Sequence, residues 1–479
     1  MERGKVQRMR EEILTGPIER TLLRLAYPLI VSNLIQVLYN ITDTFWLGKI
    51  GREALAAPGT SWPIIGTLMA LGMGFAMAGF ALVGQYIGAG RYEKANRSAG
   101  ALYSLMLIFS TLTAIISLAV LPYALHFMKV TPNVYPHAKA YATVVFAGVP
   151  LSFSFMAFSA LMRAAGDTKT PVKVSMLTVF MNIVLDPVFI FLLDLGVEGA
   201  AIATVLSNGT GALIGLRLLT SGRTGLYLTK ETLKPDLEFY SKIFRVGLPS
   251  AVGQSANNFG FVVLTRIIYG YGDVVYAAYI ITTRLVNFIT SISRGISMAM
   301  GTMIAQNVGA ENYERAKRIA ERTMMVNFLI ASFAILIIGI FRVPIFKVFL
   351  NDPAVIAQSE YVLKYFLISV PFFNGIFVVV TRTFSSAGHT KKSMILSMLR
   401  LWGLRIPLSY AFGYVPAIMI SEVILDHEIS IRIPLAELFG MSSRGVFFGM
   451  GMSNFLAALV ALLWFLRGSW MKRIIEEEE

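Results

Sequence analysis

The chain has 479 residues, 56% of them hydrophobic and 15% charged, with a net charge of +14 and no cysteine. A soluble domain carries about 25% charged residues, so most of this chain has no water to face. The missing cysteines exclude disulfides, zinc–thiolate sites and thiol catalysis.

Apolar runs of about 20 residues recur along the whole length, and only helices satisfy such a backbone in lipid. The chain therefore reads as an all-α integral membrane protein. Its opening segment, MERGKVQRMREEILTG, is charged and lacks the apolar core of a signal peptide, so the first span is expected to act as the insertion signal. Twelve spans are predicted at 22–47, 57–87, 98–121, 138–162, 171–193, 198–219, 243–269, 275–306, 318–341, 359–385, 392–415 and 444–467. The polar stretch SGRTGLYLTKETLKPDLEFYSK divides them into a lobe over 1–220, a linker over 221–241 and a second lobe over 242–479. The loop over 416–443 is much longer than its counterpart in the first half, and is expected to form a partly helical cap.

Lys and Arg concentrate in alternate loops: Arg3, Lys5, Arg8 and Arg10; Arg91, Lys94 and Arg97; Lys169 and Lys173; Arg223, Lys230 and Lys234; Arg315, Lys317 and Arg318; Lys391 and Lys392. These loops are expected to be cytoplasmic, with both termini on the same side of a plasma membrane. The basic balance thus serves topology and contact with anionic lipid, and nucleic acid is excluded as a partner.

The halves repeat. VGQYIGAGRYEKANRSA (83–99) aligns without a gap to IAQNVGAENYERAKRIA (304–320), 221 positions on, and AGDTK (165–169) falls on AGHTK (387–391) one step further. Six spans per half give both halves the same orientation. Parallel repeats of this kind are frequent in secondary transporters, with the substrate path at the repeat interface. At the same offset Pro28 falls on Pro249, two helix interruptions that read either as hinges or as packing irregularities.

The intramembrane charges carry the chemistry. Asp43, in span one, lies about 9 Å below the outer end, Asp186, in span five, about 12 Å, and Thr204, in span six, about 9 Å, at 1.5 Å per residue. Asn182 is one turn from Asp186, and Asn208 one turn from Thr204. An ionised Asp near a bilayer centre costs about 2.5–3.5 kcal/mol on the mildest scale. Two at one depth, with no Lys or Arg to pair with, imply shared protons or a bound cation such as Na⁺. Pro187 lacks an N–H and is expected to leave an unwound backbone with a free carbonyl beside Asp186. In the second half Asp43 falls on Leu264 and Asp186 on Ile406, so the architecture does not require either acid.

The second lobe carries the opposite sign. Arg284 and Arg405 lie deep and are expected to face a hydrated cavity or bond to freed carbonyls, whereas Arg382 and Arg400, nearer the ends, fit snorkelling. Gln36 and Tyr39 are candidate cavity groups inward of Asp43, and Tyr141 is either another or an interfacial aromatic. The 23 methionines read mainly as packing. No phosphate-binding loop, nucleophile–base pair or metal-spacing motif is present, which argues against an ATPase or a membrane enzyme.

The segments LYNITDTFWLG (38–48), ALAAPG (54–59), QYIGAGRYEKA (85–95), LMRAAGDTKTP (161–171) and NIVLDPVFIFLLDLGVEGAAIATVLS (182–207) resemble the multidrug and toxic compound extrusion (MATE) family, most closely its prokaryotic DinF-like branch. The resemblance implies a twelve-span antiporter of two six-helix lobes, without cofactors, that exchanges H⁺ or Na⁺ for amphipathic, mostly cationic compounds. It implies coupling at Asp43, Asn182, Asp186 and Thr204, and cavity roles for Gln36, Tyr39 and Tyr141. The chain is expected to act as a monomer among membrane lipids. Two other readings compete: a flippase for lipid-linked or anionic amphiphiles, which the second-lobe arginines would suit, and a non-transporting receptor or scaffold.

Overall fold

The computed structural model describes residues 3–128, 130–222, 225–414, 418–424, 427–433 and 442–475, with only the backbone of Asp43 and several of its neighbours described in spans one and two. Twelve long helical segments account for most of these residues. They run Ile18–Ile50, Arg52–Gly88, Tyr92–Phe127, Tyr135–Ala147 with Val149–Ala164, Lys169–Leu192, Gly196–Thr220, Leu237–Tyr269, Asp273–Gly309, Tyr313–Ile340, Pro353–Ser386, Thr390–Met398 through Ile406–Tyr414, and Ser443–Leu466. These are spans one to twelve, and span four is bent by 48° at its break. Each begins one to six residues before the apolar window read from the sequence, and the far ends agree within about three residues in all but span three. A 33-residue helix is about 50 Å long against a hydrocarbon core of about 30 Å, so its ends continue into water with polar side chains that hydropathy does not register.

Each lobe has its own apolar core. One forms around Phe146, Phe153, Phe158 and Leu161 in the first half, another around Leu264, Phe366, Val370 and Phe447 in the second. A third cluster, with Leu25, Met300, Met303 and Phe384, joins the lobes. Span two packs along span seven, and span eight along span one, so the lobes meet through repeat-related pairs.

At the end of the bundle that carries both termini the two lobes are in close contact. A Cβ added to Gly88 would lie 2.0 Å from the Gln306 carbonyl oxygen, and one added to Gly309 would lie 2.1 Å from that of Gln85. Only glycine permits this approach. The two glutamines, also 221 positions apart, cross between lobes: Gln85 Nε2 donates to Ala387 O at 3.0 Å and Gln306 Nε2 to Ala164 O at 2.8 Å.

The terminal segments close over this contact. The helix Arg3–Thr15 buries Val6 and Ile13, and Lys5 pairs with Asp167 at 2.7 Å. Its Arg10 donates to Gly88 O, and its Ile13 carbonyl accepts from Asn307 Nδ2 at 3.3 Å. From the other terminus, buried Trp470 stacks on Phe465, and the Ile474 amide donates to Gln85 Oε1 at 3.0 Å.

The described part of the long loop is an antiparallel hairpin, Ile418–Ile424 paired with His427–Ile433 in the register Ile418↔Ile433 to Ile424↔His427, and the stretch 434–441, where the expected helical part of the cap could fall, lies outside the described residues. The hairpin's alternating β-branched residues favour an extended pleat over a helix. Two expectations are corrected. The backbone at Pro187 is not unwound; the helix continues and widens into one π-helical turn, Val188–Leu192. Neither Arg400 nor Arg382 snorkels: Arg400 is 4% exposed, donates to Asn257 Oδ1 at 3.2 Å and lies over the rings of Phe373 and Phe377, and Arg382 turns inward over the Phe80 ring of the first lobe.

Candidate functional site

Spans one, five and six converge in the first lobe on a polar cluster. Asn182 and Asp186 project from the same face of span five, and both are buried, at 2% and 0% exposure. The Asn182 Nδ2 group reaches Asp186 Oδ1 at 3.2 Å and Thr204 Oγ1 of span six at 3.3 Å. Tyr39 of span one closes the chain, its hydroxyl 3.2 Å from Thr204 Oγ1. The Asn182 Oδ1 atom is buried without a hydrogen-bond partner among the described residues. A buried acceptor left unpaired costs about 1–3 kcal/mol, and a proton donor or a hard cation would relieve it.

Beside this chain lies a cavity of about 120 Å³ lined by Gln36, Tyr39, Phe155, Ser175, Thr178, Val179, Asn182, Thr204, Ser207 and Asn208. Gln36 is exposed, and Asn208 donates to Ser152 Oγ at 3.5 Å. Ser175, Thr178, Asn182 and Asp186 follow at intervals of three, four and four residues, a polar stripe on one face of an apolar helix. Thr204, Ser207 and Asn208 make a shorter stripe on the next. Reading residues singly finds Asn182 and Thr204 but misses Ser175, Thr178, Ser207 and Phe155; reading them as stripes would have found the first three.

The structure thus brings Gln36, Tyr39, Asn182, Thr204 and Asn208 around one cavity and links Asp186 to it through Asn182. The Asp43 side chain lies outside the described residues. Tyr141 is half-buried and packs against the first-lobe core. Pro28 and Pro249 lie inside the helices of spans one and seven. No group of three or more metal-ligating His, Cys, Asp or Glu residues occurs among the described residues. Any cation here would be held by carboxylate, amide and hydroxyl oxygens.

The second lobe differs in kind. Arg405 is 4% exposed; its Nε donates to Ser453 Oγ at 3.1 Å and its Nη2 to Asn454 Oδ1, while Asn454 Nδ2 donates to Ser369 Oγ at 2.9 Å. Neutral side chains inside the lobe therefore supply its acceptors. Arg284 is exposed and makes no ion pair or side-chain hydrogen bond among the described residues. Neither arginine lines the first-lobe cavity. Leu264, the repeat partner of Asp43, is fully buried in apolar surroundings.

A family model described as MatE matches residues 28–188 and 249–411, one match in each half and together more than half the chain. A protein named probable multidrug resistance protein NorM, from Thermotoga maritima, is 29% identical over 96% of this chain and 95% of its own length. Multidrug export protein MepA from Staphylococcus aureus is 26% identical over 80% of this chain and 85% of its own length. Among solved structures, a multidrug resistance MATE family transporter in an outward-facing conformation superposes with a TM-score of 0.85 at 24% identity, covering 96% of this chain and 98% of that one.

Proposed function

The chain belongs to the MatE family, and from that premise we propose that it is a secondary antiporter exporting amphipathic, mostly cationic organic compounds in exchange for H⁺ or Na⁺. The observation that carries the coupling part is the partly buried chain Asp186–Asn182–Thr204–Tyr39 against the first-lobe cavity, with an unpaired amide oxygen at its centre. Asp43 joins this group by sequence position, one turn beyond Tyr39 on span one. In this reading the acids hold the coupling ion, and Asn182 and Thr204 relay its arrival to the cavity wall.

A proton on Asp186, or a cation beside it, removes a buried negative charge from the site. The hydrogen bond that Asn182 donates to Asp186 then weakens, because a charged acceptor holds a donor about twice as strongly as a neutral one. Asn182 and Thr204 are free to reorient and the cavity changes shape. An organic cation and the coupling ion would compete for the same negative charge, which is what exchange requires. The contact between lobes at the terminal end supports an arrangement open at the opposite, outer side. With the termini cytoplasmic, the ion enters from outside and displaces the drug outward.

The test is transport in reconstituted vesicles with separately imposed H⁺ and Na⁺ gradients, comparing wild type with Asp186→Asn and Asp43→Asn. Export driven by one gradient and lost in both variants supports the proposal. A flippase would move a lipid-linked substrate without either gradient, and a receptor would move nothing.

A further inference from the structure

We propose that Arg163 and Arg382 form an anion site at the junction of the two lobes. One small anion, a halide or a carboxylate or phosphate group, would bridge their guanidinium groups and favour the arrangement closed at the terminal end. Arg163 comes from the end of span four in the first lobe, and Arg382 from span ten in the second. They meet at span eight. Thr302 Oγ1 donates to Arg163 O at 3.0 Å, and a Cβ added to the adjacent Gly301 would lie 3.1 Å from Arg382 Nε. Both arginines thus lie against consecutive residues of span eight, one from each lobe, and two like charges so placed repel across the seam.

What surrounds them does not offset this repulsion. Arg382 lies over the Phe80 ring, 5.5 Å from its centroid, and its Nη1 is 3.4 Å from Met77 Sδ. A ring face and a thioether are soft acceptors without formal charge. The Nε atoms of both arginines are buried and have no hydrogen-bond partner among the described residues. No ion pair joins either arginine to a described carboxylate, and nearby Asp167 is engaged by Lys5 and Thr170. A guanidinium cannot relieve the situation by losing its proton. Two such forks with unpaired Nε donors, one from each side of the seam, match the acceptor pattern of a carboxylate or phosphate, and a halide would serve as a simpler bridge.

The position adds a consequence. Phe80 and Gly301, which flank Arg382, lie five residues before Gln85 and Gln306 on their helices, so Arg382 sits about 7–8 Å above the crossing glutamines, while Arg163 directly precedes Ala164, the acceptor of the Gln306 bond. Glycine contacts and glutamine bonds draw the lobes together there, while the paired cations push them apart. An anion between the cations turns the push into an attraction. The site belongs to neither lobe alone and exists only when they are closed at this end. It is independent of the coupling chemistry in the first lobe.

The experiment is thermal unfolding of the purified full chain in detergent at constant ionic strength, exchanging a bulky sulfonate for chloride, acetate or phosphate. Wild type should gain roughly 2–4 °C, saturably, in at least one of the three. A response to chloride alone identifies a halide; a response to acetate or phosphate identifies the anionic group of a larger ligand. Arg163→Gln and Arg382→Gln should not respond, and in sulfonate they should be at least as stable as wild type because the repulsion is gone. Arg400→Gln, within the second lobe, should keep the wild-type response. Should the glutamine variants not fold, Arg382→Lys keeps the charge and should keep a weakened response. A wild type indifferent to all three anions, or an equal response in the glutamine variants, would overturn the site.

Discussion

Asp186 and Asn182 show how much one residue's surroundings decide. Both are buried one helical turn apart, and the amide holds the carboxylate on one side and Thr204 on the other. Asp186→Asn keeps the volume and removes the charge, so gradient-driven export should vanish while expression and thermal stability stay near wild type. Thr204→Val should slow coupled transport roughly 10-fold, the worth of about one hydrogen bond, and Thr204→Ser should restore it. Asp167 offers a pH test away from transport. Burial works to raise its pKa, but the bonds from Lys5 and Thr170 outweigh it and leave the carboxyl below its ordinary value of 3.8. A depressed folded pKa stabilises above the unfolded value and is lost as pH falls through the folded one. Asp167→Asn should therefore unfold at lower temperature than wild type at pH 7, and the gap should close below about pH 4, as melting curves would show. The grouping of Asp186 with Asn182 and Thr204 was legible in the sequence, because a carboxylate in an apolar run points to the polar residues one turn away and at equal depth. Arg400 was not, because its distance from a helix end says nothing about whether Asn257 and two phenylalanines enclose it.

At the scale of helices, the repeat does most of the explaining. Gln85 and Gln306, Gly88 and Gly309, and spans one, two, seven and eight all act in equivalent pairs. The proposed coupling groups do not. Leu264→Asp should fail to rescue Asp43→Asn in vesicle transport, because Asn182, Asp186 and Thr204 have no counterparts beside Leu264; rescue would show that either lobe can couple. Gly88→Ala and Gly309→Ala should each pry the lobes apart at the terminal end, since a methyl group 2.0–2.1 Å from a carbonyl oxygen has nowhere to go. The chain has no native cysteine, so maleimide labelling of Ala305→Cys, a buried interface position, would read this against a silent background. Labelling should be slow in the parent and faster in each alanine variant. Helix number and order were legible because lipid leaves the backbone one option. The hairpin was not, since outside the membrane the alternation in IMISEVI and HEISIRI competes with a prior for helix drawn from everything around it. The break in span four and the π-helical turns at 188–192, 362–366, 373–377 and 399–405 depend on packing between helices, which hydropathy does not carry.

Across the whole molecule the two lobes share a fold and differ in sign. The first places buried acceptors and a carboxylate beside a cavity; the second buries Arg400 and Arg405 among neutral side chains and aromatic rings. A duplicated fold has thus kept its helix packing in both halves while its charged chemistry has diverged, and the seam between halves is where conformational change must act. The most direct measurement of the central claim is countertransport in vesicles containing purified wild type or Asp186→Asn, loaded with a fluorescent lipophilic cation, under an imposed H⁺ or Na⁺ gradient. Coupling through the first lobe predicts that wild type moves the cation against its own gradient only when one of the two ion gradients is present, and that Asp186→Asn does not move it under either. Uphill transport by Asp186→Asn at the wild-type rate would contradict it.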